Sequence, residues 1–95
     1  MKKFFHVRHI LVKDRHSAED LIRKLKEGSS FAELARKFSI CPSSTNGGDL
    51  GPIPFGKADG DFEEAATQLQ PDEMTTSPVR TRFGYHIIHK LKKCN

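Results

Sequence analysis

Thr81-Arg82-Phe83-Gly84-Tyr85-His86-Ile87-Ile88-His89-Lys90-Leu91 is the stretch that decides the fold. Residues 77–81 and 85–91 read as a closing β-hairpin that turns through Arg82-Phe83-Gly84. With a period of two, Tyr85, Ile87, His89 and Leu91 share one face of the last strand, and His86, Ile88 and Lys90 share the other. Working outward to the other end of the chain, residues 4–12 are dense in Phe, Val, Ile and Leu. Phe5, Val7, His9 and Leu11 fall on one face there; Phe4, His6, Arg8, Ile10 and Val12 fall on the other. Apolar residues on both faces predict a central strand covered on each side.

Between these strands the apolar period changes to that of helices. Ala18, Leu21, Ile22 and Leu25 recur at i, i+3, i+4, i+7, as do Phe31, Leu34, Ala35 and Phe38, and then Phe62, Ala65, Ala66 and Leu69. Ser17 precedes the first set, Ser30-x-x-Glu33 forms a capping box for the second, and Asp61-x-x-Glu64 does similar work for the third. Gly28 stands where the first helix should stop. Residues 50–55 form a short strand, confined to a sheet edge by Pro52 and Pro54. The order β-α-α-(loop)-β-α-β-β predicts an α+β domain with a mostly antiparallel sheet.

Ninety-five residues with 36% hydrophobic and 29% charged side chains allow one domain, residues 1–95, and exclude a Rossmann pair or a TIM barrel. No apolar run approaches the ~20 residues of a bilayer span, and His6, Arg8 and His9 interrupt the N-terminal stretch short of a signal-peptide core. Two cysteines, Cys41 and Cys94, make no disulfide framework and point to a reducing, cytoplasmic setting. The net charge of +4 is unevenly spread. Residues 1–37 and 80–95 are basic, whereas residues 38–79 hold Lys57 alone against 7 acids. The basic ends meet only if the first and last elements are neighbouring strands.

Several residue groups invite a chemical reading. His6 with His9, and His86 with His89, have an offset of three that splits each pair across a strand, so neither chelates a metal alone. A cross-strand set of His9, His86 and Cys41 lacks a fourth ligand in any recognisable spacing, so no metal or other cofactor is expected. Cys41 precedes the polar loop Pro42-Ser43-Ser44-Thr45-Asn46, but no oxyanion hole or orienting acid accompanies it, and a half-buried structural thiol is the better reading. Gly47-Gly48-Asp49-Leu50-Gly51 lacks the Gly-Lys-Ser/Thr ending of a phosphate loop and reads as a tight turn with positive φ. Asp59, Asp61, Glu63 and Glu64 at a helix start serve mostly capping and dipole compensation. Cys94 carries no functional signal.

Taken together, these segments carry a family resemblance. His9-Ile10-Leu11-Val12, Phe31-x-x-Leu34-Ala35, Ser39-Ile40-Cys41-Pro42-Ser43, Gly47-Gly48-Asp49-Leu50-Gly51, Phe62-Glu63-x-Ala65 and Thr81-x-Phe83-Gly84-Tyr85-His86-Ile87-Ile88 occur in one order and spacing. No piece is specific alone, but the set resembles the parvulin peptidyl-prolyl isomerases, closest to the small single-domain bacterial type. The resemblance implies an FKBP-like fold, a four-stranded, mostly antiparallel sheet surrounded by helices. It implies catalysis of X–Pro rotation without cofactor, acting on proline-containing peptides and unfolded proteins. Carried over by position, His9 and His86 are the paired histidines, Cys41 the Cys/Asp position and Thr81 the hydroxyl, and the resemblance implies that all four share one hydrogen-bond network. Leu50, Phe62 and Phe83 line the proline pocket, with Ala58 on its wall.

Three departures from the family pattern stand out. Ala58 replaces a usual Met, Thr67 replaces a usual aromatic, and Asp59-Gly60-Asp61 is more acidic than usual. A shallower, more negative pocket follows, weaker for proline or favouring sites flanked by Lys or Arg. The loop after the first strand, residues 13–16, is too short for the Arg-rich loop of phosphate-directed members. The expected protein is a cytoplasmic monomer with no membrane partner. The rival reading is a binding module that holds proline segments or unfolded chains with little turnover. Nucleic acid is not expected as a partner: Lys2, Lys3, Arg80, Arg82, Lys90, Lys92 and Lys93 form no aromatic-studded groove.

Overall fold

The structure, a computed structural model, describes residues 4–91. Four strands, β1 (Phe4–Val12), β2 (Asp49–Pro54), β3 (Val79–Thr81) and β4 (Gly84–Lys90), form one antiparallel sheet in the order β2-β1-β4-β3. The doubly apolar β1 is central, paired on one side with β4 from Val7↔Lys90 to Val12↔Tyr85 and on the other with β2. β2 lies at the edge, where the missing N–H groups of Pro52 and Pro54 cost no ladder bond. The pairing of β1 with β4 brings the two ends of the described chain side by side. Lys2, Lys3, Lys92, Lys93 and Cys94 lie outside the described residues.

The helices α1 (Arg15–Lys26), α2 (Phe31–Phe38) and α3 (Gly60–Gln68) divide the core in two. Ile10, Val12 and Ile87 on one face of the sheet pack with Ala18, Leu21, Ile22, Phe31, Leu34 and Ala35 of α1 and α2. Phe5, Val7 and Ile88 on the other face pack with Phe62 and Ala66 of α3. The α2 cap is as expected, Ser30 Oγ accepting from the Glu33 N–H.

Two other caps sit elsewhere than the sequence pattern indicates. Helix α1 starts a turn early because Asp14 accepts from both the N–H and the hydroxyl of Ser17. Helix α3 is capped by Asp59, which accepts from the Asp61 N–H. Phe38, expected on the apolar face of α2, is 45% exposed, with the Lys24 ammonium 5.3 Å above its ring. The strand expected over residues 77–81 is shortened to Val79–Thr81, since Pro78 has no N–H to give. Residues 42–46, read as a loop, form a 3-10 turn, Pro42–Asn46, started by Pro42. Among the described residues no helix is long and apolar enough to cross a membrane.

Candidate active site

Two neighbouring strands place the histidines. His9 pairs with Ile88 across β1 and β4, so His86, two residues back on the same face, is its diagonal neighbour. Their rings stack with centroids 5.1 Å apart and planes at 18°, and their Nδ1 atoms are joined by a 2.9 Å hydrogen bond. Both residues are 4% exposed. Thr81, at the end of β3, sets the other side of His86: its Oγ1 lies 2.7 Å from His86 Nε2 and accepts from the Phe83 N–H at 3.2 Å. Phe62 of α3 closes the pair from above, edge-on to both rings at 5.5 and 5.1 Å.

Burial holds both histidines neutral. It pushes His9 down to about 4, with the neighbouring His86 adding to the effect. Burial also takes His86 down to about 4, against the opposing pull of the Asp59 carboxylate. With two neutral rings, both hydrogen bonds form when Thr81 O–H donates to His86 Nε2 and His86 Nδ1–H donates to His9 Nδ1. His9 then carries its proton on Nε2, a buried atom with no partner among the described residues. The pair does not present itself to a metal: both Nδ1 atoms and His86 Nε2 are already engaged.

The histidines stand in the wall of a cavity of about 490 Å³. Its other lining residues are Leu11, Ile40, Cys41, Pro42, Leu50, Ile53, Ala58, Asp59, Phe62 and Phe83. The structure therefore brings His9, His86, Cys41, Leu50, Ala58, Phe62 and Phe83 to one place, with Thr81 behind His86. Thr67 is elsewhere, exposed on the outside of α3 with its hydroxyl donating to the Glu64 carbonyl, so it does not shape the cavity.

Cys41 departs from expectation in one respect. Its thiol lines the cavity and accepts from Ser43 Oγ at 3.3 Å, with no hydrogen bond to either histidine among the described residues. The connected network is His9–His86–Thr81. Ser39, which the sequence did not single out, fastens this corner: its Oγ accepts from the N–H groups of Leu11 and Cys41. Ile53 was also missed as a wall residue, and the acidic segment expected to make the pocket more negative contributes Asp59 to the wall. Ile53 follows from alternation with the edge prolines in β2, but nothing in the spacing separates Asp59 from its acidic neighbours.

Gly48 secures His9 from the backbone side. Its carbonyl accepts from the His9 N–H at 2.9 Å, and a Cβ at this position would fall 2.3 Å from the His9 carbonyl oxygen. Its φ of +87° also requires glycine. Asp49 steadies the adjoining β2, accepting from the Gly51 N–H and pairing with His6 Nε2, both at 2.7 Å.

Comparison with known proteins agrees with this arrangement. Residues 9–92 match the rotamase family model, described as a PPIC-type PPIase domain. The chain is 49% identical over 82 residues to foldase protein PrsA of Caldanaerobacter subterraneus subsp. tengcongensis; the match covers 85% of this chain and 26% of that protein. The chain thus spans about a quarter of the length of this curated relative. Among solved structures, PrsA from Bacillus subtilis superposes with a TM-score of 0.91 at 39% identity, covering 98% of this chain and 36% of that one. NmPin, the parvulin of Nitrosopumilus maritimus, superposes at 0.84 with 36% identity, covering 96% of this chain and 98% of its own. The strand order, the stacked histidines and these matches together establish that the chain belongs to the parvulin, or PPIC-type, peptidyl-prolyl isomerase family.

Proposed function

We propose that this chain is a peptidyl-prolyl cis-trans isomerase that accelerates rotation about X–Pro bonds in peptides and unfolded chains, and so assists folding. The observation that carries the reading is an apolar cavity whose wall holds a buried, neutral histidine pair, one nitrogen of which is unpartnered among the described residues. Rotation about the bond faces a barrier of ~18–20 kcal/mol because amide resonance is lost on twisting. No bond breaks, so the site needs only to favour the twisted amide over the planar one. The proposed roles follow. Leu50, Ala58, Phe62 and Phe83 seat the prolyl ring and exclude water. Thr81 and His86 fix the orientation of the His9 ring in the cavity wall. Cys41 supplies wall and a weak dipole, not a nucleophile. Lowering the barrier by ~4 kcal/mol would give about a thousandfold acceleration.

A protease-coupled assay on Xaa-Pro peptides tests the reading. Acceleration is expected for the intact protein, falling in His9→Ala and Phe62→Ala variants that circular dichroism shows to be folded. Absence of acceleration by the intact protein sinks it.

Ala58 favours the second reading, a module that binds proline segments with little turnover, because its small side chain widens the cavity wall. Shifts of Phe62 and Phe83 resonances on adding peptide, without faster exchange, would select it. We also infer a monomeric domain over residues 1–95 working in a reducing bacterial cytoplasm. The free thiol of Cys41 supports the reducing setting; sedimentation and cell fractionation test mass and compartment.

A further inference from the structure

Among the described residues in the wall of the candidate site, Asp59 is the one side chain with a formal charge. The two histidines beside it are buried and neutral, so no cation inside the cavity cancels it. One carboxylate oxygen, Oδ1, is taken by the Asp61 N–H that it caps. Its other oxygen faces Arg82 Nε at 3.8 Å, beyond hydrogen-bond reach. Arg82 is a loose partner. Its side chain is 78% exposed, and its guanidinium lies over the Phe83 ring at 5.1 Å. The adjoining groove along α3 and β3 carries Asp61 and Glu64 against Arg80 and Arg82, so it does not reverse the sign that Asp59 sets.

Beside Asp59 in the same wall stands His9, whose buried Nε2 has no partner among the described residues. A segment with its proline in this cavity has neighbouring Cα atoms only 3.8 Å along the chain. Their side chains therefore fall within reach of Asp59.

We propose that Asp59 sets the substrate preference of this cavity, favouring proline segments with Lys or Arg next to the proline and disfavouring Asp or Glu there. The inference rests on the cavity being the X–Pro site. A cationic neighbour replaces Arg82 as the partner of Asp59 and displaces a side chain that is already mostly in water. An anionic neighbour meets the carboxylate with no compensating charge in the cavity.

The test uses peptides Ala-Xaa-Pro-Phe and Ala-Ala-Pro-Xaa, with Xaa as Lys, Ala or Glu, followed by NMR exchange on the full chain. The order Lys, Ala, Glu is expected in kcat/KM for at least one of the two series, with about tenfold between Lys and Glu. Raising salt from about 20 mM to about 500 mM should shrink that ratio, since the Debye length falls below the separations involved. Asp59→Asn keeps a capping side chain at the start of α3 and should bring the ratio within about twofold. Arg82→Ala should leave or widen it. A Lys:Glu ratio near one in both series, or a ratio that survives Asp59→Asn, overturns the inference while leaving isomerase activity intact. If no peptide is accelerated, the isomerase reading fails instead, and dissociation constants for the same peptides decide. Tighter Lys than Glu binding, lost in Asp59→Asn, upholds the role of Asp59; equal binding ends it.

Discussion

Lowering the pH from 8 to 5 should remove about 4 kcal/mol of folding stability through His9 and His86 alone. Each has an ordinary value of 6.5, and burial takes each to about 4 in the fold. Between those values the unfolded chain binds protons that the folded chain refuses, so stability falls as pH falls. At pH 5 an unfolded histidine is almost fully protonated and a folded one almost fully neutral, a difference of about 2 kcal/mol per ring. The figure hardly depends on how far below 5 the folded values lie. It is a large share of the roughly 5–15 kcal/mol that holds a domain of this size together. Urea denaturation of the wild type and of His86→Gln at pH 8, 7, 6 and 5 isolates the effect. The stability gap between them should narrow by about 2 kcal/mol from pH 8 to pH 5, because the variant has one buried imidazole fewer to protonate. A constant gap, or an NMR titration of either ring with a midpoint above pH 6, would refute the buried neutral pair.

Other perturbations test the supports of the site. Gly48→Ala drives a Cβ against the His9 carbonyl at a φ of +87° and should lower stability by about 2 kcal/mol or more, read as a drop in melting temperature. Thr81→Val strips His86 Nε2 of its partner and should lose about 1–3 kcal/mol in chemical denaturation, whereas Thr81→Ser should recover most of it. Ala58→Met extends the apolar wall of the cavity and should lower KM for Xaa-Pro peptides; a raised KM would mean that the added bulk blocks the ring.

The sheet was readable because its signals do not compete. Apolar residues on both faces of β1 permit only a central place, and Pro52 with Pro54 permits only an edge. The helix starts were harder, since Asp14 and Ser17, or Asp59 and Asp61, offer two capping side chains within one turn. Backbone geometry chooses between them, and the side-chain pattern does not record it. Joining His9 to His86 needs the β1–β4 register, which alternation within each strand leaves open; here the family resemblance supplied what spacing did not. That resemblance also drew Cys41 into the histidine network, whereas the thiol turns to Ser43 two residues on. Such local hydrogen bonds are cheap to form and leave little trace in sequence. Thr67 misled for a related reason: one step around α3 from the buried Ala66, it faces water instead of the cavity.

The central claim is that this cavity turns X–Pro bonds. NMR exchange spectroscopy on a neutral Ala-Ala-Pro-Phe peptide with sub-stoichiometric protein tests it most directly, because it reads rotation without cleavage or a coupling enzyme. The account predicts cis–trans exchange cross-peaks that grow with protein concentration, together with peptide-induced shifts confined to residues around Phe62, Phe83 and His9. Exchange at the uncatalysed rate in the presence of folded, peptide-binding protein would contradict it.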